Sequence, residues 1–138
     1  METQEDVIVD IPKERVKFFG GLGKMLLPSP TTVAALIEKI PEHKLITTHL
    51  LCQELTRQFK VQGTCPVTTR KALQTIAHDS TKKVAYWRVI KTDGGLFGQF
   101  PGGVDDQAVH LRKEGFAVDT KGRLPKVKNF RESLARFH

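Results

Sequence analysis

Short helical segments with clear start signals follow one another through the middle of the chain, and they constrain its fold more than any other feature. The first opens at Ser29-Pro30, a serine cap with proline in the first turn. A second segment of about ten residues has Thr47 or Thr48 as its candidate cap, and a third begins near Thr68. Segments this short have to bury an apolar face against one another. We therefore predict a mainly α domain.

The second and third segments are joined by a short connection that contains Gly63. The polar and basic face of the third segment carries Arg70, Lys71, Gln74 and His78. Two helices joined in this way, the second with a basic outer face, are the helix-turn-helix pattern of DNA-binding proteins. The pattern is weak by itself, because any small helical protein offers similar pairs.

A small β element is expected beside the helices. Residues 84–90 are rich in strand formers, and the run from Lys91 to Gly95 is a turn signal, so a wing or hairpin is predicted there. A last helix is predicted from Val104 to Gly115, with Asp105 and Asp106 in its first turn. The fold class is thus mainly α with a small β element, a winged helix-turn-helix-like DNA-binding domain.

The length of 138 residues fits one compact domain with extensions. We divide the chain into an N-terminal arm (1–29), a helix-turn-helix domain (30–118) and a basic C-terminal tail (119–138). The net charge is +7, and the tail is strongly basic. Its basic residues include Lys121, Arg123, Lys126, Lys128, Arg131 and Arg136. This bias suits a polyanion, although a solvated basic tail with no specific ligand is the alternative.

Several classes of function find no support in the sequence. No apolar run approaches the roughly 20 residues of a membrane span, and no signal peptide is visible. The glycines before Lys24 lack phosphate-loop spacing, which favours a packed arm. Cys52 and Cys65 make neither a disulfide framework nor a metal cluster, and they indicate a reducing compartment. We expect no cofactor, no metal and no membrane partner.

The second half of the chain carries an aromatic pair next to an arginine, Tyr86-Trp87-Arg88-Val89, and later a Gly-rich turn and Glu114. This series resembles the O-6-alkylguanine-DNA alkyltransferases and their non-catalytic relatives, the alkyltransferase-like proteins. Tyr86 aligns with the nucleophilic cysteine, Trp87 with the activating histidine, and Glu114 with the glutamate behind it. Alkyl transfer needs a thiolate, and a phenol with a pKa of about 10 is a poor substitute. The resemblance therefore implies a protein that is not an enzyme and has no catalytic residue.

What the resemblance implies instead is a pocket that accommodates a flipped O-6-alkylguanine, where aromatic rings lie against the base. The residues assigned to this lesion pocket are Tyr86, Trp87, Arg88, Val89, Phe100, Pro101, Gly102, Gly103 and Glu114. Arg70 aligns with the arginine that enters the duplex through the minor groove. Thr48 stands where the family has a tyrosine that presses the target phosphate, and a threonine can bond a phosphate but cannot wedge. Further assigned DNA-binding residues are Thr47, Thr69, Lys71 and Gln74.

The leading hypothesis is thus a lesion sensor that binds double-stranded DNA, preferentially alkylated, and flags it for excision-repair proteins. A general or regulatory helix-turn-helix protein with a vestigial pocket is the main alternative. Alkyl transfer to Cys52 or Cys65, or a protein-interaction module without nucleic acid, are two further possibilities. We expect a monomer, cytoplasmic and nucleoid-associated in a prokaryote or nuclear in a eukaryote.

Overall fold

The structure, a computed structural model, describes residues 5–79, 81 and 83–136. The outermost parts of the predicted arm and tail, residues 1–4 and 137–138, lie outside the described residues. The α-helices are α1 (Val16–Phe19), α2 (Pro30–Glu38), α3 (Thr48–Phe59), α4 (Pro66–Ala77) and α5 (Gly103–Lys113). Short 3-10 helices lie at Lys13–Arg15, Tyr86–Arg88 and Phe130–Ser133.

The strands are short and form three small sheets. They are β1 (Val7–Asp10), β2 (Lys24–Leu27), β3 (Ile46–Thr47), β4 (Gly63–Thr64), β5 (Val89–Ile90), β6 (Val118–Asp119) and β7 (Lys126–Val127). β2 pairs antiparallel with β1 and parallel with β4, β3 pairs parallel with β5, and β6 pairs antiparallel with β7. The prediction of a mainly α chain with a small β element is confirmed. Among the described residues, no helix is both long and apolar enough to cross a bilayer.

Local signals placed the helix starts well. The Ser29 side chain caps α2 by accepting the Thr32 N–H at 3.2 Å, and Thr47 caps α3 in the same way from Leu50, also at 3.2 Å. Both predicted caps are confirmed. α4 begins at Pro66, two residues before the predicted start near Thr68, because proline in the first turn already has the helical φ.

The three central helices enclose the main core. α2 packs against α4, and α3 lies against α4 and β4. Fully buried side chains of this core include Leu26, Val33, Ile37, Ile46, Leu51, Leu55 and Val89. A second cluster joins α5 to the C-terminal segment through Leu45, Ile90, Leu96, Leu111, Val127 and Phe130. The helices α2, α3, α4 and α5 thus each bury one face, as the spacing of their apolar residues predicts.

The N-terminal segment is packed onto the helical domain, as expected for a packed arm. β2 pairs with β4, the strand that lies within the α3–α4 connection. Asp6 fixes the start of α2, since its carboxylate accepts the Ser29 N–H at 2.7 Å and the Thr32 hydroxyl at 2.6 Å. The arm is therefore attached both to the start of α2 and to the α3–α4 connection.

The basic tail is folded rather than simply solvated. The predicted boundary at 118/119 divides β6, and Val127 and Phe130 are 3% and 8% exposed. The Leu45 N–H donates to the Ser133 carbonyl at 2.8 Å, and the Ala135 N–H donates back to the Leu45 carbonyl at 2.7 Å. The tail is tied to the domain by these backbone bonds, while its lysines and arginines stay at the surface.

Residues 84–95 differ from the expected hairpin. Tyr86–Arg88 form a 3-10 turn, and the two-residue β5 pairs with β3 instead of a strand beyond the turn. The predicted turn does form, with the Gly94 N–H donating to the Lys91 carbonyl at 2.8 Å. Two backbone carbonyls of this segment are bonded by a side chain of α5, so they are not free for a hairpin partner.

Candidate nucleic-acid interface and aromatic pocket

The first turns of α3 and α4 border an open concavity of about 720 Å³, which we call the helix-pair groove. Thr48 and Arg70, the two positions singled out in the sequence for DNA contact, both line it. Phe18 and Phe19 of the N-terminal arm form another part of its wall. The fold therefore gathers polar, cationic and aromatic groups around one groove.

Arg70 also lines a second, smaller cavity of about 290 Å³. Lys91, Gln99 and Phe100 lie around this cavity together with Gln74. Its volume is near the lower end of the roughly 300 to 1,000 Å³ of ordinary ligand pockets. Arg70 is exposed, and among the residues that the structure describes it makes no hydrogen bond or salt bridge. Its guanidinium is thus available between two concave surfaces.

The remaining residues assigned to DNA differ in what they already do. Thr47 is 4% exposed and caps α3, while Thr69 is 1% exposed and donates to the Cys65 carbonyl at 2.8 Å. Lys71 and Gln74 are exposed on α4. The two exposed side chains can reach a ligand directly. The two buried threonines are engaged in local structure.

Glu114 is the centre of a cluster that we call the Glu114 network, formed with His43, Trp87 and Arg88. Its carboxylate accepts the Trp87 indole N–H at 2.5 Å and the Arg88 Nε at 3.0 Å. The backbone N–H of His43 donates to it at 3.0 Å. Arg88 also donates to the Ile40 carbonyl at 2.9 Å. The network joins the end of α5 to the loop after α2 and to the Tyr86–Arg88 turn.

The Glu114 network contains an ion pair between two largely buried side chains, Arg88 and Glu114. The side chains of Arg88 and Glu114 are 14% and 9% exposed. Burial by itself raises the pKa of the Glu114 carboxyl, but the donors from His43, Trp87 and Arg88 outweigh it and lower the pKa below its ordinary value. Glu114 is therefore ionised at neutral pH and is held by partners within the fold.

Aromatic rings pack around Tyr86. Its ring lies edge-on to Trp87, with centroids 5.3 Å apart, and edge-on to Phe100 at 5.0 Å. Trp87 stacks on His110, with centroids 4.3 Å apart and planes 12° apart. Tyr86 touches Phe100, which lines the smaller cavity, although Tyr86 and Trp87 are not among the residues lining that cavity. The predicted pocket residues thus meet as a packed cluster beside the opening.

The turn before α5 has the backbone that its glycines suggested. Gly102 and Gly103 have φ of 76° and 71°, the left-handed region that favours glycine. A Cβ at Gly102 would overlap the Asp106 carboxylate. Phe100 is 3% exposed and Pro101 is half-buried. The turn is therefore tight and holds Phe100 against Tyr86.

Three residues outside the predicted set also shape this site. Gln107 is 1% exposed and donates to the carbonyls of Trp87 at 3.0 Å and Val89 at 2.9 Å. His110 lies on α5 four residues before Glu114, the C-cap of that helix, so the two are about one helical turn apart. The His43 ring nitrogen lies 2.6 Å from the Glu114 carbonyl oxygen. Helical spacing could have suggested His110, whereas the other contacts are set by the fold.

No thiol takes part in the aromatic cluster, and the two cysteines lie near the start of α4. Burial alone raises the pKa of Cys65, but bonds from Thr68, the Arg15 side chain and the Val67 backbone lower it to about 7. Burial raises the pKa of Cys52. Cys52 lines the helix-pair groove, whereas Cys65 is 3% exposed. The accessible thiol is thus the less reactive one.

The chemistry available at Tyr86 is that of a neutral phenol. Burial, together with the nearby Asp106 carboxylate, raises the pKa of Tyr86. Within the described part of the chain, no three histidine, cysteine or acidic side chains are grouped so as to hold a metal ion. The residues around Tyr86 offer aromatic surface, one guanidinium already paired, and backbone groups of a tight turn. Such groups can make apolar and hydrogen-bonding contacts.

Similar structures were found although no family model and no curated protein matches the sequence. One is S. pombe Atl1 in complex with damaged DNA that contains O6-carboxymethylguanine. It is 22% identical, with a TM-score of 0.59 over 78% of this chain and 94% of that chain. Another is S. pombe ATL in complex with DNA, 21% identical with the same TM-score and coverage. At this level of identity the likeness establishes a shared fold.

Proposed function

We propose that the protein binds double-stranded DNA and recognises O-6-alkylguanine without reacting with it. The observation that carries the proposal is the position of Arg70, exposed and without a hydrogen-bond or ion-pair partner among the described residues, between the helix-pair groove and the smaller cavity. The proposal is also supported by the structural similarity to S. pombe Atl1, whose structure is a complex with DNA that contains O6-carboxymethylguanine. The proposed ligand is therefore the duplex, with the damaged guanine as its distinguishing part.

In the proposed complex α3 and α4 act as a winged helix-turn-helix-like unit. Arg70 enters the minor groove, and Thr48, Lys71 and Gln74 contact the backbone nearby. The damaged base leaves the stack and lies beside Phe100, with the smaller cavity, the Tyr86 cluster and the glycine turn around it. Extrusion costs a few kcal/mol and least for a damaged base, which favours the alkylated guanine over an intact one.

The absence of alkyl transfer follows, in this proposal, from the groups around the base. Tyr86 stands at the position of the nucleophile, and its raised pKa keeps it protonated at neutral pH. Glu114 activates no neighbouring group, because it accepts hydrogen bonds from Trp87 and Arg88. A complex of this kind has to be resolved by other proteins, and we expect excision repair to do so. We expect one monomer to act per lesion, in the nucleoid or the nucleus.

A second candidate function, alkyl transfer to a cysteine, has one observation in its favour. The pKa of Cys65 is lowered to about 7, so part of this thiol is a thiolate at neutral pH. Its 3% exposure, however, leaves no path for an alkylated base. The more accessible Cys52 has a raised pKa and is the weaker nucleophile. We therefore favour binding over transfer.

Competition between two duplexes that differ by one O-6-methyl group tests the proposal. We expect the alkylated duplex to displace the plain one at about a tenfold lower concentration, a difference of about 1.4 kcal/mol. Equal affinities that both fall steeply with salt would instead identify a general DNA-binding protein. If the protein bound neither duplex at low salt, the proposal that it binds DNA would be wrong.

A further inference from the structure

The N-terminal arm places an exposed aromatic side chain at the edge of the helix-pair groove. Phe18 is 69% exposed, which is unusual for a ring of this size, and it lines the groove together with Thr48 and Arg70. Leu22, in the glycine turn that follows, is 81% exposed but is not among the groove residues. Phe18 and Leu22, two exposed apolar side chains four residues apart, therefore differ in whether they line the groove.

Phe18 is held in place by its neighbour. The Phe19 ring lies so close to Gly63 that a Cβ there would overlap it, and the Phe19 carbonyl accepts from Gln62 Nε2 at 2.8 Å. Phe18 packs edge-on against Phe19, with ring centroids 5.0 Å apart. The Arg15 guanidinium lies 5.4 Å from the centre of the Phe19 ring. Phe19 thus fixes the arm to the α3–α4 connection, and Phe18 is presented from a rigid support.

The surroundings of Phe18 favour an anionic partner with flat apolar groups. Residues 13–24 contain Lys13, Arg15 and Lys17 against the single acidic Glu14, while the fourth basic side chain, Lys24, is ion-paired with Asp10. Arg70 adds a further cation within the groove. Proteins that bind the minor groove often insert a phenylalanine or leucine between base steps and so kink the duplex. A rigid phenylalanine next to a free arginine suits that role.

We propose that Phe18 is a second DNA-contacting wedge, which stacks on a nucleobase exposed beside the base step that Arg70 enters. The proposal deepens the proposed function, since it rests on DNA binding at the helix-pair groove. It gives the N-terminal arm a direct part in recognition. A preorganised ring loses little conformational entropy on binding, so its contact contributes to affinity nearly in full.

The test compares Phe18→Ala with Leu22→Ala in the full chain. Affinities for plain and O-6-methylguanine duplexes are measured by fluorescence anisotropy, and a 2-aminopurine beside the lesion reports unstacking. We expect Phe18→Ala to weaken binding about tenfold and to reduce the 2-aminopurine signal, as for the loss of one stacked base. Leu22→Ala removes a more exposed side chain outside the groove, and we expect a change of less than about twofold. Phe18→Trp should retain both affinity and signal.

The possible outcomes separate this inference from the proposed function. Equal affinities of Phe18→Ala and wild type for every duplex would overturn the wedge, even if the alkylated duplex is still preferred. If no preference for the lesion exists but Phe18→Ala still weakens binding, lesion recognition fails and the wedge stands. Equal losses in Phe18→Ala and Leu22→Ala would show a general apolar effect of the turn and would also overturn it.

Discussion

Arg70 lies within α4 and Arg88 within the 3-10 turn Tyr86–Arg88, yet the environments of the two guanidinium groups are opposite. Arg88 is 14% exposed and donates to Glu114 and to the Ile40 carbonyl, and within the described residues no buried side-chain nitrogen or oxygen lacks a hydrogen-bond partner. Arg70 is exposed on the helix-pair groove and makes no such bond within the described residues. The hydrogen bonds of the Glu114 network stabilise the fold, whereas the guanidinium of Arg70 is available to a ligand.

The comparison separates a cluster that stabilises the fold from a groove that is open to a ligand. Glu114 accepts the Trp87 indole N–H and forms an ion pair with Arg88. Those contacts fix the aromatic turn beside Phe100. The network therefore supports the aromatic cluster, and in the proposed function the helix-pair groove supplies the DNA contacts. Variants in the two regions should affect different measurements.

The largest effect is expected in the Glu114 network. Glu114→Ala leaves Arg88 largely buried without its carboxylate, and we expect the free energy of unfolding to fall by about 3 to 5 kcal/mol. Urea denaturation at neutral pH measures it. Glu38→Ala, at an exposed position on α2, is the control and should change stability by about 0.5 kcal/mol or less. Similar losses in both variants would contradict the structural role of Glu114.

Arg70→Ala should give the reverse result. We expect about a tenfold loss of affinity for the alkylated duplex, about 1.4 kcal/mol, with an unchanged free energy of unfolding. The control is Lys113→Ala, which removes the same charge from an exposed position that does not line the groove. Titrations of both variants at one salt concentration separate local contact from net charge. An equal loss in the two would mean that only overall charge matters.

Acid titration of stability gives a smaller but specific signature of the Glu114 network. The pKa of Glu114 is lowered in the folded state, so the unfolded chain binds the proton more readily. The stabilisation is complete above the unfolded carboxyl pKa of about 4.3 and is lost as the pH falls through the lower folded value. Wild type and Glu114→Gln should therefore differ most in urea stability at neutral pH and converge in acid. A difference that stays constant down to about pH 3 would contradict this assignment.

The smallest effect is expected for the hydroxyl of Tyr86. Tyr86→Phe keeps the edge-on contacts with Phe100 and Trp87, so lesion affinity should change by less than about twofold. Tyr86→Ala removes those contacts and should weaken binding about fivefold, in line with aromatic pair energies of about 1 kcal/mol. Titrating both variants under the same conditions separates the contribution of the aromatic ring to affinity from that of the hydroxyl group. A large loss in Tyr86→Phe would point to a chemical role for the phenol.

Local signals predicted the helices, and long-range contacts decided the rest. Ser29 and Thr47 act within one turn of their helices, so their caps could be read from the sequence. The turn at Tyr86–Arg88 could not, because Gln107 binds the carbonyls of Trp87 and Val89 from 20 and 18 residues away. A run of strand formers therefore became a 3-10 turn with a short strand.

The residues of the candidate site also differ in whether the sequence predicted them. Thr48 and Arg70 were assigned from the family resemblance, and both lie on the helix-pair groove. Phe18 was not, because the arm is brought to that groove by long-range contacts, the packing of Phe19 against Gly63 and the pairing of β2 with β4. The basic tail also concealed its apolar contacts, since Val127 and Phe130 alternate with lysine and arginine. The assignment of residues to the lesion pocket stays a prediction.

The measurement that tests the central claim most directly follows the lesion itself. Protein and a slight excess of O-6-methylguanine duplex are incubated to saturation, and the intact mass of the protein and the lesion content of the DNA are then determined. We predict a stable complex, an unchanged protein mass and full recovery of O-6-methylguanine. A gain of one methyl group on the protein, matched by loss of the lesion, would contradict the account and identify an alkyl acceptor.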